Sequence, residues 1–144
     1  SRRLIKYALD QIDKQFGTRE YKINFNIVNI EHILPQNPDR AWGITRSKIS
    51  TYVNLLGNLT LLSEKLNGII QNKIIVEKLP DLKKSEISIT KQLVAELESN
   101  GNVWGKDQIQ IRQDKLAKLG RAALEEYRAG LTEPLEIPGE LPDH

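Results

Sequence analysis

Ile30-Glu31-His32-Ile33-Leu34-Pro35-Gln36 and, downstream, Asn54-Leu55-Leu56-Gly57-Asn58-Leu59-Thr60-Leu61-Leu62, with Asn67 after it, are the stretches that decide how this chain folds. Upstream of the first, Tyr21, Ile23, Phe25 and Ile27 alternate with Lys22, Asn24 and Asn26. That is the period of a half-buried strand, and it runs on through Val28 and Ile30 to the Glu31-His32 pair. Two prolines and a glycine between Pro35 and Ser47 predict an irregular connection. Ser47 to Leu55 predicts a short helix, Gly57 a joint, and Asn58 to Leu62 a second strand. Ser63 is placed to cap a helix running through Asn67 and Asn72. The order is strand, strand, helix.

Outward from this centre the pattern becomes helical. Leu4, Ile5, Ala8, Leu9, Ile12 and Phe16 recur at helical spacing, with Gly17 placed to end the element. Ile74, Ile75 and Leu79 carry a helical pattern that Pro80 is expected to break. Ser85 or Ser88 starts a helix bearing Ile89, Leu93 and Leu97 and ending near Gly101, and a last helix spans about Lys106 to Ala129. The expected class is α+β, mainly helical, with one domain over residues 1–130. Its strand-strand-helix core lies at about 21–78, and a helical scaffold covers 1–17 and 85–129. Residues 131–144 form an acidic tail with Pro134, Pro138 and Pro142, expected to be extended.

Composition narrows the chemistry. With 144 residues the chain buries an ordinary core without disulfides or structural metal. No cysteine is present, which removes thiol redox chemistry, zinc-thiolate sites and cysteine nucleophiles. No apolar run reaches the length of a membrane span or signal core, so the chain is expected to be cytoplasmic, without a membrane partner. It does not begin with Met, as expected of a fragment of a larger protein. Net charge is +2, but four of the 19 acids (Glu133, Glu136, Glu140, Asp143) lie in the tail, leaving 15 against all 21 bases in the body. A body at +6 attracts phosphate, and ordinary solubility charge has the same look. No Gly-rich phosphate loop occurs, so nucleotide hydrolysis has no support.

His32 beside Glu31, with asparagines following at short spacing, has the makeup of a one-metal phosphodiesterase site. Neutral imidazole activates water near pH 7. A hard cation takes oxygen ligands and keeps several waters, so Glu31 and one Asn oxygen suffice to hold it. On a regular strand Glu31 and His32 point to opposite faces, so both reach one site only if the backbone leaves the strand there. Each asparagine also has a plain structural reading: Asn58 as a turn residue beside Gly57, Asn67 as a helix-end residue before Gly68, Asn72 as surface. Asn67-Gly68 nevertheless interrupts a helical pattern, and a broken local rule is where a site is expected.

Glu31-His32-Ile33-Leu34-Pro35-Gln36, the Asn54-to-Leu62 run, Asn67, Asn72 and Lys78 resemble the signature of the GmrSD-type HNH endonuclease domain. Trp104, Ile111-Arg112 and Leu116-Ala117 resemble its helical end. The resemblance implies a ββα-metal core in which His32 is the general base and Glu31 and Asn67 are the metal ligands, with Asn58 holding the loop or orienting the base. Asn67 stands where many HNH enzymes have histidine. It further implies a Mg²⁺- or Mn²⁺-dependent DNA endonuclease or nickase of bacterial antiviral defence, restricting modified or phage DNA and joined to a ParB-like nucleotide-hydrolysing domain missing here. Lys73 and Lys78 would contact phosphates flanking the cut, and Arg112, Lys115, Lys118 and Arg121 would widen a basic surface. The alternative is a non-catalytic DNA-binding or protein-interaction module that keeps the fold.

Overall fold

β1 (Val28–His32) and β2 (Leu59–Ser63) pair antiparallel, with Val28 opposite Ser63 and His32 opposite Leu59. β2 passes directly into α3 (Glu64–Ile70), and the Ser63 hydroxyl caps that helix by accepting from the Leu66 N–H at 3.2 Å. Around this ββα succession stand α1 (Arg2–Asp13), α2 (Arg46–Ile49), α4 (Ile75–Leu82), α5 (Ser88–Ser99) and α6 (Lys106–Arg128). The computed structural model describes residues 1–129, and the tail expected over 131–144 lies outside the described residues. The class is α+β and mainly helical.

Strand alternation divides the interior in two. Val28, Ile30, Leu59 and Leu61 share one face of the hairpin and pack with Leu9, Ile12, Ile89 and Leu116 from α1, α5 and α6. Leu62 faces the other way, into a larger cluster with Ile33, Ile70, Leu79, Leu93 and Trp104. Full burial of a leucine contributes roughly 1.5–3 kcal/mol, so Leu61 and Leu62, both at 0 % exposure, anchor the hairpin from both sides. Thr60 lies beneath, its hydroxyl 2.7 Å from that of Thr90, which in turn donates to the Leu61 carbonyl at 2.5 Å. A buried hydroxyl needs such a partner.

Asp13, 1 % exposed, gathers three elements. Its carboxylate accepts from Arg19 at 2.9 Å, from the Tyr21 hydroxyl at 2.7 Å and from the Ile89 N–H at 2.7 Å, which caps α5 from a distance. Gly57 sits so close to α6 that a Cβ there would overlap the Ile109 carbonyl and lie 2.7 Å from the Gln113 N. The Gln113 side chain also accepts from the Gly57 N–H at 2.8 Å. Only glycine permits that approach of two backbones.

Several boundaries differ from the sequence expectation. The first strand begins at Val28 rather than Tyr21, because β2 offers only five residues to pair with. Tyr21 is held instead by Asp13 and Ser88, and Ile23 packs against the α1-side cluster. The helix expected over 47–55 is α2, of four residues, continued by turns. α3 stops at Ile70, where Gln71 adopts φ 38°, short of Asn72. Pro80 does not break α4 but lies inside it: the bond it forgoes is to Val76, on the exposed face, 62 % accessible.

Candidate active site

The end of β1 is assembled by three side chains that reach it from elsewhere. Asn58, just ahead of β2 and 0 % exposed, uses every hydrogen-bonding position it has. Its Oδ1 accepts from the Leu34 N–H at 2.8 Å and from the Trp104 indole at 2.9 Å, while its Nδ2 donates to the carbonyls of Leu34 and Val53, both at 2.8 Å. Its own carbonyl accepts from the Ile33 N–H at 3.0 Å. The segment after His32 is thereby stapled to the loop before β2. Asn58 thus has no surface to offer a substrate, and its side chain ties the backbone of Leu34 to that of Val53.

His32, half-buried at the last rung of the ladder, places Nε2 2.9 Å from Asn54 Oδ1. The Gln36 amide donates to that same oxygen at 3.0 Å, which fixes it as an acceptor. An amide oxygen cannot donate, so Nε2 carries the ring proton and Nδ1 carries the lone pair. Burial foremost lowers the His32 pKa below 6.5, with the cations Lys78 and Arg2 acting the same way and the Asn54 contact opposing. The imidazole is therefore neutral at pH 7 and able to accept a proton. Asn54 lies in the second motif stretch, and its pairing with His32 spans 22 positions that no local pattern connects.

On the opposite face of β1, Glu31 is 5 % exposed and has both oxygens engaged. Oε2 is 2.9 Å from the Lys78 ammonium, and Oε1 accepts from Asn67 Nδ2 at 3.1 Å. The Asn29 amide donates to Asn67 Oδ1 at 3.4 Å. Burial raises the Glu31 pKa above 4.5, opposed chiefly by Lys78. The ladder continues through His32, so the departure from strand geometry comes one residue later than a shared Glu31–His32 site requires. What connects the two is Lys78, which bonds the Glu31 carboxylate and also donates to the carbonyls of His32 at 3.0 Å and Ile33 at 2.9 Å.

Lys78 thus corrects the expectation of a phosphate-contacting lysine: it is 0 % exposed, inside the protein, with the Trp42 ring 5.8 Å from its Nζ. The spacing of Ile75, Lys78, Leu79 and Leu82, all buried, marks it as part of the inward stripe of α4. Lys73, by contrast, is exposed in the connection before α4. Arg112 departs from the expected basic surface in the same way as Lys78. It is 2 % exposed and donates to the carbonyls of Leu56, Gly57 and Leu59 at 3.4, 3.0 and 2.7 Å. Burial lowers its pKa to about 10, against the pull of nearby Glu96, and it stays charged.

The chain matches the model of a known family, the GmrSD restriction endonucleases, C-terminal domain, over residues 1–119. The chain belongs to that family. Membership in GmrSD places it among restriction endonuclease domains, and so points to a nuclease role and to DNA as substrate. No curated protein and no solved structure matches the chain. Among the described residues no helix is long and apolar enough to cross a membrane, and no three or more His, Cys, Asp or Glu residues gather as a metal cluster. The donors for a cation in this GmrSD domain are therefore few. Glu31 and Asn67 touch, and an Asn67 amide turned by half presents its oxygen where Nδ2 now stands. Carboxylate and amide oxygens suit a hard ion that completes its shell with water and substrate, so the donor set fits.

Proposed function

We propose that this domain is a metal-dependent DNA endonuclease or nickase of the HNH type, hydrolysing phosphodiesters to a 5′ phosphate and a 3′ hydroxyl. The observation that carries the reading is His32: neutral, with Nε2–H anchored on Asn54 and Nδ1 bearing the lone pair, at the end of β1. In this reading Nδ1 takes the proton from the water that attacks phosphorus. Glu31 and Asn67 would hold Mg²⁺ or Mn²⁺, which when bound supplies positive charge to the phosphate and the departing 3′ oxygen.

The other residues act through placement. Asn54 sets the tautomer and orientation of His32 and Asn58 holds the backbone that follows it, while Lys78 clamps the carbonyls of His32 and Ile33. Lys73 contacts a flanking phosphate. The substrate is double-stranded DNA, modified or from phage, within a cytoplasmic defence protein whose ParB-like nucleotide-hydrolysing part controls the cut. Residues 1–130 form the nuclease unit.

A second reading, a non-catalytic DNA-binding module, is favoured by two observations: both oxygens of Glu31 are already engaged, and the ladder runs on through His32, which keeps it on the face of β1 opposite Glu31. Conversion of supercoiled plasmid to nicked and linear forms in Mg²⁺, Mn²⁺ or EDTA separates the two. The nuclease reading requires metal-dependent cutting by the intact chain and none by His32→Ala at equal folded concentration. DNA binding with no cutting by either protein would favour the module.

A further inference from the structure

The Lys78 ammonium has one acceptor for each of its protons: Glu31 Oε2 at 2.9 Å, the His32 carbonyl at 3.0 Å and the Ile33 carbonyl at 2.9 Å. A neutral amine has only two protons to give and would leave one buried acceptor unpaired, so this geometry calls for the charged form. The Trp42 ring at 5.8 Å adds a further favourable contact for a cation. Lys78 and Glu31 therefore form a buried pair of net charge zero, and Asn67, which touches the other carboxylate oxygen, is neutral. Among the described residues no group of three or more acidic or imidazole side chains comes together to offset a divalent ion.

Affinity for a hard cation follows the charge and number of its ligands. One carboxylate, already matched by an ammonium at 2.9 Å, leaves a divalent ion facing a site with no net negative charge and a like charge next to its ligand. A phosphodiester brings what the protein withholds: a negative charge and non-bridging oxygens that ligate hard ions well. Resting on the nuclease reading above, we propose that the Glu31–Asn67 site takes its divalent cation only together with a DNA phosphodiester, because Lys78 cancels the charge of the carboxylate. The ion and the substrate then bind as a unit, and the free protein leaves Glu31 with Lys78.

Removing Lys78 is the obvious test, but it strands a buried carboxylate and two carbonyls and risks the fold. Asn67→Asp is milder: Lys78 keeps Glu31 Oε2 and both carbonyls paired, and the one donor lost, to Glu31 Oε1, sits on the half-exposed Asn67. The readout is paramagnetic broadening by Mn²⁺ of the amide NMR signals of Glu31 and residue 67. It is measured on the His32→Ala chain so that added duplex stays uncut, with Glu31→Gln as the control for ions held by the DNA itself. Without DNA, half-broadening is expected only at about 1 mM Mn²⁺ or above, the range of weak hard-ion sites. Duplex lowers that concentration at least tenfold, and not in the Glu31→Gln control. Asn67→Asp, adding one negative charge, lowers it at least tenfold without any DNA.

Broadening of the DNA-free chain at about 0.1 mM or below, abolished by Glu31→Gln, overturns the proposal while leaving a nuclease that cuts plasmid with metal. No tightening in Asn67→Asp likewise overturns it. Absence of Glu31-dependent broadening even with duplex overturns the metal assignment itself and the proposal with it.

Discussion

Asn58→Ala removes one side chain and leaves four buried groups without partners: the Leu34 N–H, the carbonyls of Leu34 and Val53, and the Trp104 indole N–H. Each buried polar group that loses its partner costs roughly 1–3 kcal/mol. The site has no exposure through which solvent could take over, so even the lower bound for each gives about 4 kcal/mol. That is a large fraction of the 5–15 kcal/mol typical of a whole domain. The expected result is a urea midpoint lowered by the equivalent of about 4 kcal/mol or more at unchanged m-value. Tryptophan fluorescence follows the transition, and native emission should change because the Trp104 indole loses its acceptor. Asn58→Asp should also destabilise, since a carboxylate cannot donate to Leu34 and Val53 in place of Nδ2. A loss below about 1 kcal/mol in Asn58→Ala, together with lost plasmid cutting, would refute the loop-holding account and return Asn58 to direct contact with substrate.

Further expectations concern the base, the close approach at Gly57, the buried arginine and the metal. The folded pKa of His32 is lowered, so its neutral form persists below pH 6.5 and is lost as pH falls through the folded value. Initial nicking rates from pH 5 to 8 should then rise with a midpoint below 6.5, and a midpoint above it would contradict the neutral-base reading. Gly57→Ala drives a methyl group into the α6 backbone and should cost about 3 kcal/mol, the upper end of overpacking, because backbone yields little; a melting temperature within a degree of the parent would count against that packing. Arg112→Ala strips the carbonyls of Gly57 and Leu59 of their buried donor, while the Leu56 carbonyl keeps the Leu59 N–H, and should destabilise by roughly 2–6 kcal/mol at 1–3 for each stranded group. The salt dependence of DNA binding by the folded fraction should stay the same, whereas a shallower salt slope would place Arg112 on the DNA surface. EDTA should abolish cutting yet leave the melting curve in place, as the fold is held by two apolar clusters; a large drop in melting temperature would make the ion structural.

Local signals in the chain identify the hairpin and most of the helices, and the reason is periodicity. Apolar spacing foretells α1, α5 and α6 closely, and Ser63 announces the start of α3, because these depend on neighbours a few residues apart. The family is legible too: the Glu31-His32 and Asn67 stretches carry the resemblance, and the family's model matches residues 1–119. Helical spacing also carries the inward positions of Lys78 and Arg112, in step with Ile75 and Leu82 and with Ile109 and Leu116. Their charge suggested the surface, since buried cations are uncommon unless paired. Only the tertiary structure supplies those partners: a carboxylate and two carbonyls 45 to 47 positions away for Lys78, and three carbonyls 53 to 56 positions away for Arg112. It also decides that the first strand is short, since pairing needs a second strand of equal length. The Asn54 contact that sets the His32 proton, and the complete satisfaction of Asn58, depend in the same way on segments that meet only when the loops between them close. Patterns within one element are written in the chain, whereas the partner of a buried polar group is chosen by packing.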